Sequence, residues 1–216
     1  MSLVVLAPLR LEALALRRGL HGSSTEVVRT GMGPTGSADA FAKWLRATKL
    51  DAAARVAVAG VCGGADPGLR SGDVVVATAV RREDGEERDL PEAAPLAEAV
   101  CALGLPCVTG TILSVERLAR TARRAAEGHA DVVAVDMESA WLVEGAGQRP
   151  VAVLRVVADA QGRSVYHPRT LIDGTKALSV LHRVAPALES WAQSSAHDAD
   201  APLSTPQDLA ECVRSA

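Results

Sequence analysis

Three ionisable residues come at the ends of two apolar segments of this chain. Residues 131–135 and 150–157 are short apolar runs of the kind that form buried strands. Glu138 follows the first run, whereas Arg155 and Asp159 lie at the end of the second. Ligands of an open α/β sheet bind in the crevice beyond the carboxyl ends of its strands, so we expect these three side chains to share one crevice. One carboxylate that holds sugar hydroxyls and a second that handles a proton would suit chemistry on a nucleoside.

The composition narrows the class of protein. A chain of 216 residues is long enough for one domain with a single core. Apolar residues make up 48 % and aromatic residues 2 %, so Ala, Val and Leu must fill the interior. The 23 basic and 26 acidic residues nearly cancel, which gives no electrostatic signature of a partner nucleic acid or an anionic membrane surface.

The four cysteines, Cys62, Cys101, Cys107 and Cys212, form no CxxC pair and have no His at metal-ligand spacing. We therefore predict neither a metal nor a bound cofactor. Cys62 and Cys107 lie in apolar segments and are expected to be small buried hydrophobes, which suits a reducing cytoplasm. The first residues lack the pattern of a signal peptide, and no uncharged apolar run reaches about 18 residues. The sequence thus predicts a cytoplasmic protein without an integral membrane segment.

Short apolar runs alternate with helix-like segments along the chain. The predicted strands are residues 3–7, 26–30, 55–59, 73–80, 108–114, 132–135 and 151–157. The predicted helices are residues 9–18, 37–47, 92–103, 115–127, 137–146 and 170–191. This alternation predicts an α/β fold with helices on both faces of a twisted, largely parallel sheet.

Two segments are predicted to lie outside this pattern. Residues 81–88 (RREDGEER) form a charge cluster between a strand and a helix, which is typical of an exposed loop. Residues 193–216 are polar and contain Pro, Ser and Asp, so we expect a mobile tail that belongs to no core. One domain is then predicted to span residues 1–192.

Two glycine-rich turns follow predicted strands. Residues 31–36 match GxGxxG, but a strand and a helix come before them, whereas a dinucleotide-binding fingerprint belongs in the first βα turn of its domain. These glycines let the backbone pass close to a ligand or make a tight turn. Residues 60–65 form the second turn, which either exposes N–H groups to a ligand or is an ordinary connection.

The order of these motifs resembles the nucleoside phosphorylase and nucleosidase superfamily, in particular the methylthioadenosine/S-adenosylhomocysteine nucleosidases. The resemblance covers residues 3–191 and rests on five motifs, which are an early acid (Glu12), Gly-Met-Gly (31–33), a GxxGG turn that runs into Gly-Asp-Val-Val-Val (60–76), Asp-Met-Glu (136–138) and Arg-x-x-x-Asp (155–159). It implies a three-layer αβα fold with a mixed, mostly parallel sheet, and a homodimer or larger assembly. Size and the opening residues 7–13 (APLRLEA) are most similar to the hopanoid-associated phosphorylase group, which implies removal of adenine from adenosylhopane.

The resemblance also implies a role for each site residue. Asp159 corresponds to the general acid that protonates N7 of the leaving base, and Glu138 to the acid that binds the ribose hydroxyls. Arg155 is expected to pair with a nearby carboxylate and orient it. The other residues implied to line the substrate are Met32, Gly33, Gly63, Gly64, Val115 and Met137. Structural interpretations stay open at this point, namely a helix N-cap for Asp159, a helix-terminal charge for Glu138 and a core methionine for Met137.

Two attacking groups, water and phosphate, are compatible with the sequence. Glu12 falls where the nucleosidases carry the acid that activates water, although it could also be a solvated acid in the first turn of a helix. Phosphate is the alternative co-substrate, and Arg10 is the candidate to bind it. Val58 and Val61 stand where phosphorylases carry an Arg and a Ser or Thr. The loss of those charge-assisted contacts favours water over phosphate.

The sequence constrains the base and the 5′ substituent of the substrate less than it constrains the bond that is cleaved. The segment expected to cover the base, residues 111–118, contains no aromatic side chain, so it predicts an apolar slot without stacking. An Asp acid suits a 6-amino purine such as adenine, and aliphatic walls would accept a large, lipid-like 5′ substituent. Two functions of other classes stay open, a nucleoside-binding protein without turnover and a nicotinamide-dependent enzyme that uses Gly31 to Gly36.

Overall fold

The computed structural model describes residues 2–117, 122–159, 168–194 and 212–215. Nine strands and six helices alternate within these ranges. The strands are β1 (Leu3–Ala7), β2 (Glu26–Arg29), β3 (Arg55–Gly64), β4 (Val74–Arg82), β5 (Glu87–Asp89), β6 (Cys107–Ser114), β7 (Val132–Asp136), β8 (Val151–Asp159) and β9 (Val213–Ser215). The helices are α1 (Arg10–Gly19), α2 (Pro34–Thr48), α3 (Ala93–Ala102), α4 (Ala122–Ala125), α5 (Ser139–Gly145) and α6 (Pro168–Gln193).

The strands form one mixed sheet that closes on itself. Strands β2, β1, β3 and β8 are neighbours and run parallel, and so do β4, β6 and β7. Two antiparallel pairings join these groups, β8 with β4 and the end of β3 with β7. Strands β3, β8, β4, β6 and β7 therefore form a closed ring, with β1 and β2 extending from it.

Alternate residues of the strands face two separate apolar cores. Leu3 and Val5 of β1 belong to the core under α1, α3 and α6, whereas Val4 and Leu6 belong to the core under α2 and α5. Because both faces of the sheet are covered, the strands read as continuous apolar runs in the sequence. The predicted α/β fold, with three layers and a mostly parallel mixed sheet, is confirmed.

Several predicted boundaries need correction. Strands β3 and β8 are longer than predicted, and they extend to Gly64 and Asp159. The predicted loop at residues 81–88 is instead largely a β-hairpin, in which β4 and β5 pair antiparallel around a turn at Gly85 (φ 92°). Arg81 of β4 and Glu87 of β5 form an ion pair across it, so the charges that indicated a loop hold two strands together.

The predicted helix at residues 115–127 is also shorter at its start. Val115 continues from β6 without helical structure, and α4 begins at Ala122. Val115 is buried, and its N–H donates to the carbonyl oxygen of Asp136. Residues 118–121 lie outside the described ranges.

The last described residues join the sheet, which differs from the expectation of a tail outside the core. Strand β9 pairs parallel with residues 107–109 of β6, an edge that β7 leaves open because its own pairing begins at Thr111. Cys212 forms a disulfide with Cys101 at the end of α3. No local sequence pattern indicates this pair, because its two cysteines are 111 residues apart.

The two remaining cysteines are free and buried, as predicted. Burial raises the pKa of the Cys62 thiol, and it raises the pKa of Cys107 to about 11. Both therefore stay neutral and pack as small apolar residues. No helix in the described ranges is long and apolar enough to span a membrane.

Candidate active site

Arg155 is the centre of a buried polar network at the carboxyl end of the sheet. Its side chain is fully buried in the middle of β8. Both Nε and Nη2 donate to the Ser139 hydroxyl, at 3.2 and 2.9 Å, and Nη2 lies 2.8 Å from Asp136 Oδ2. The expected ion pair with a carboxylate is therefore present, as a buried guanidinium requires. The third nitrogen, Nη1, has no hydrogen-bond partner within the described structure.

Asp136 positions this guanidinium and also caps a helix. Its Oδ1 accepts from the Ser114 hydroxyl at 2.6 Å and from the N–H groups of Glu138 and Ser139 at 3.3 and 3.2 Å. The Ser114 oxygen in turn accepts from the N–H of Ala140 at 3.0 Å. Sequence reasoning missed this role, although an acid at a strand end just before a helix is a recognisable capping signal.

Glu138 reaches across to the first glycine turn. It is buried, and its Oε1 accepts from the N–H of Gly33 at 2.9 Å. Gly33 has a φ of 84°, a conformation that favours glycine, and Pro34 begins α2 directly after it. The carboxylate thus holds an N–H group at the start of α2, where a dinucleotide-binding turn would present its N–H groups to a pyrophosphate.

Burial raises the pKa of Glu138 to about 7. The Arg155 charge and the Gly33 N–H act in the opposite direction, whereas the nearby carboxylates of Asp136 and Glu12 raise this pKa further. Glu138 therefore changes its charge close to neutral pH.

Glu12 lies on the other side of the network and is buried. Only 2 % of Glu12 is exposed, so it is not a solvated acid in the first turn of α1. Its Oε2 accepts from the N–H of Leu9 at 2.7 Å, and its Oε1 accepts from the N–H of Val61 at 2.8 Å. Burial raises the pKa of Glu12, against the effect of Arg155 and these two N–H groups.

Gly60 lets Arg155 and Glu12 approach the backbone of β3 closely. A Cβ atom at Gly60 would lie 2.5 Å from Arg155 Nη1 and 2.8 Å from Glu12 Oε1, so these two groups occupy the space that a side chain would take. Nη1 is the nitrogen that has no partner within the described structure. The two atoms lie close enough to each other for one small polar molecule to bridge them, accepting from the guanidinium and donating to the carboxylate.

The other predicted substrate residues divide into packed and exposed ones. Met137 packs against a small apolar core that contains Val115, which supports the interpretation of Met137 as a packing residue. Gly63 pairs with Val135, and a Cβ there would lie 2.6 Å from the Cβ of Ala122, so its small size lets α4 approach. Gly64 pairs with Ala134.

Met32 and Arg10 are exposed, and they lie beside residues that bind the buried carboxylates. Met32 is 65 % exposed and precedes Gly33, the donor to Glu138. Arg10 is the first residue of α1, next to Leu9, the donor to Glu12. The two residues thus mark the outer edge of the site.

Asp159 is the last residue of β8, and its backbone is in register with Gly63 of β3. Its side chain lies outside the described part of the structure. Aromatic side chains from other segments could face the base, but Phe41 packs in the core under α2, and Trp141 lies under the Arg82 guanidinium. Tyr166 lies outside the described residues. Among the described residues, no group of three His, Cys, Asp or Glu side chains is arranged to hold a metal ion.

The fold is shared with solved nucleosidase structures. A mutant of futalosine hydrolase from Helicobacter pylori aligns with a TM-score of 0.75 and 15 % identity, over 88 % of this chain and 98 % of that one. The D198N mutant of the 5′-methylthioadenosine nucleosidase from the same organism, with 5′-methylthioadenosine in its active site, gives 0.71 and 16 % over 88 % and 97 %. A methylthioadenosine/S-adenosylhomocysteine nucleosidase from Colwellia psychrerythraea, in complex with adenine, gives 0.68 and 21 % over 87 % and 96 %.

The sequence itself identifies the family more directly than these distant structures do. No curated protein matches the chain. The profile of the Phosphorylase superfamily, however, matches residues 13–185, which include Asp136, Glu138 and Arg155 of the polar network. The chain therefore belongs to the Phosphorylase superfamily.

Proposed function

We propose that this protein hydrolyses the N-glycosidic bond of an adenine nucleoside and releases adenine. The observation that carries the proposal is the pair of groups that approach Gly60, the buried carboxylate of Glu12 and the Arg155 Nη1 that has no partner among the described residues. Similar folds belong to proteins that are named as nucleosidases or hydrolases, which supports the same class of reaction here.

Glu138 is proposed to hold the ribose. Cleavage of the C–N bond builds positive charge on the sugar and negative charge on the leaving base. An ionised carboxylate can accept from two neighbouring hydroxyls, and its charge stabilises the cationic sugar in the transition state. The Gly33 N–H fixes the carboxylate in the site, so these contacts are made without a reorientation of the side chain.

Asp159 is proposed to protonate N7 of the base. Its place at the end of β8, in register with Gly63, brings it to the carboxyl end of the sheet, where Asp136 ends β7 and Glu138 follows. A protonated carboxyl group in this role contributes roughly 10²- to 10⁴-fold to the rate. The burial of the neighbouring acids is the kind of environment that keeps a carboxyl group protonated near neutral pH.

Water is proposed to attack the sugar, with Glu12 as the general base. A water molecule that bridges the two groups would donate to Glu12 Oε1 and accept from Arg155 Nη1, which orients its lone pair. The surroundings suit phosphate poorly, because Val58 is fully buried and apolar and the N–H of Val61 is already bound to Glu12. A phosphate ion would also be repelled by the nearby carboxylates.

The 5′ substituent of the substrate is proposed to be large and apolar, as in adenosylhopane. Leu9 binds Glu12 through its N–H, and Met32 precedes Gly33, which binds Glu138. Their exposed side chains therefore offer an apolar surface at the outer edge of the site. A homodimer or larger assembly stays a prediction from the resemblance, and a cytoplasmic location stays a prediction from the sequence pattern.

Product analysis tests the proposal. The purified protein is incubated with adenosine, methylthioadenosine and adenosylhopane, with and without phosphate. We expect free adenine and a free sugar in phosphate-free buffer. Strict dependence on phosphate with formation of a sugar 1-phosphate would overturn the role of Glu12 and assign the phosphate to Arg10. Binding of a nucleoside without any release of adenine would instead support a binding protein.

The Asp159→Asn variant tests the acid. We expect it to lose adenine release while it still binds nucleoside, because the amide cannot donate the proton that N7 requires. Asp39→Asn is the matched control, since Asp39 is an exposed acid on α2 away from the network. Full activity of Asp159→Asn would rule out the assignment.

A further inference from the structure

The exposed side of α1 consists of leucine and arginine only. With 3.6 residues per turn, its exposed residues fall within about 120° of the helix surface. They are Arg10, Leu11, Leu14, Arg17 and Arg18. The one acid of the helix, Glu12, is buried on the opposite side. This pattern differs from that of the whole chain, whose net charge is −3.

Four exposed apolar side chains form what we call the apolar rim, Leu9 (39 % exposed), Leu11 (60 %), Leu14 (42 %) and Met32 (65 %). Only one other large apolar residue in the described ranges is exposed to this degree, Leu103. A single exposed leucine needs no explanation, but a cluster of them usually marks an interaction surface.

Backbone hydrogen bonds hold the two parts of the rim together. The N–H of Thr30 donates to Ala7 at 3.0 Å, and the N–H of Gly31 donates to Pro8 at 3.1 Å. These bonds fix the turn that carries Met32 against the residues that lead into α1. The apolar rim is thus a rigid surface, and it adjoins the catalytic carboxylates.

The positive charge of the arginines on α1 indicates which kind of partner covers the apolar rim. In a two-fold symmetric dimer the same patch faces itself, so the arginines of α1 would meet the arginines of the second copy. An anionic bilayer offers what both residue types need, since acyl chains accept the leucines and the headgroups pair with the arginines.

We propose that the apolar rim and the arginines of α1 dock on the surface of an anionic lipid bilayer, with the mouth of the site toward the membrane. This contact is peripheral and reversible. It does not depend on the reaction proposed above, because vesicle binding can be measured without substrate.

Flotation with vesicles tests the docking of the full chain. We expect binding to vesicles of phosphatidylcholine mixed with phosphatidylglycerol, little binding to phosphatidylcholine alone, and weaker binding as salt is added. Leu11→Glu/Leu14→Glu should weaken the binding about tenfold or more, because it replaces inserted leucines with charges that the headgroups repel. Equal binding of the wild type to both kinds of vesicle, or to neither, would overturn the proposal.

The control variant is Ala47→Glu/Leu103→Glu. It adds the same two charges at exposed positions on α2 and at the end of α3, and it also removes an exposed leucine. We expect it to bind as the wild type does. An equal loss of binding in the control would show that only net charge matters and would refute a defined docking surface.

A single charge reversal covers the case in which the double variant does not fold. Arg18→Glu keeps both leucines and should weaken binding to the anionic vesicles about fivefold or more. Sedimentation of the same variants distinguishes the other occupant. A wild-type dimer that ignores vesicles and dissociates in Leu11→Glu/Leu14→Glu would assign the surface to a second copy of the chain.

Discussion

Gly33 and Gly60 belong to similar glycine-rich motifs of the sequence, yet the structure needs glycine at the two positions for different reasons. Gly33 has a positive φ and open space around it, and this conformation aims its N–H at Glu138. Gly60 lies in a regular strand, and what matters there is the absence of a side chain between Glu12 and Arg155. One position uses the conformational freedom of glycine and the other uses its small volume.

The largest effect is expected for Gly60→Ala. The new methyl group would collide with Glu12 and with the buried guanidinium and displace them, so we expect adenine release to fall about a hundredfold or more. The clash should also lower the free energy of unfolding by about 1–3 kcal/mol. Adenine release and urea denaturation measure the two effects. Normal activity with normal stability would show that the close approach of these two groups to Gly60 is not needed for the reaction.

A smaller effect is expected for Gly33→Ala. No atom obstructs the added methyl group, but an L-residue at φ 84° costs about 1–2 kcal/mol. Relaxation of this strain would turn the N–H away from Glu138, so we expect KM for the nucleoside to rise more than kcat falls. A fall in kcat alone would mean that the turn serves the chemical step rather than the sugar.

The partner of Gly33 makes the stability dependent on pH. The carboxyl group of Glu138 keeps its proton up to about pH 7 in the folded protein, whereas in the unfolded chain it releases it near 4.5. The folded state binds more protons between these values, so stability is highest below the window and falls as pH rises through it, by at most about 3 kcal/mol. Glu138→Gln should flatten this dependence, measured by urea denaturation at several pH values. An unchanged slope in the variant would assign the proton to another group.

The smallest effect is expected for Gly36→Ala, which serves as the control for both turns. Gly36 lies in α2, has no atom near an added Cβ and does not have a positive φ. Alanine should leave activity unchanged and raise the free energy of unfolding by about 0.4–1 kcal/mol, because it restricts the unfolded chain. A loss of activity here would show that the whole motif acts on the ligand.

The sequence predicts the elements of this fold better than their pairing. The strands are evident because both faces are buried and their residues are apolar throughout. The closure of the ring is not, since the antiparallel contact of Gly63 and Gly64 with β7 depends on residues far apart in the chain. For the same reason no local pattern indicated that β9 would join β6.

The same limit applies to the site. The sequence brings Glu138 and Arg155 together by treating their strands as parallel. In the structure β7 and β8 run in opposite directions, and the antiparallel contact between the ends of β3 and β7 brings the two residues together. The sequence does not identify the carboxylate that pairs with Arg155, since Asp136 and Glu138 flank Met137 and spacing alone does not distinguish them. The net charge of the chain likewise does not indicate the arginines of α1, because a sum over all residues carries no information about one face of one helix.

The disulfide between Cys101 and Cys212 makes a covalent loop of half the protein. This loop contains Asp136, Glu138 and Arg155, whereas Glu12 and Gly33 lie on the chain before it. A bridge across 111 residues restricts the unfolded chain strongly, by about 4–5 kcal/mol in the entropic description. Reduction or oxidation of this pair of cysteines would therefore change the free energy of unfolding, even though both sulfur atoms lie outside the polar network.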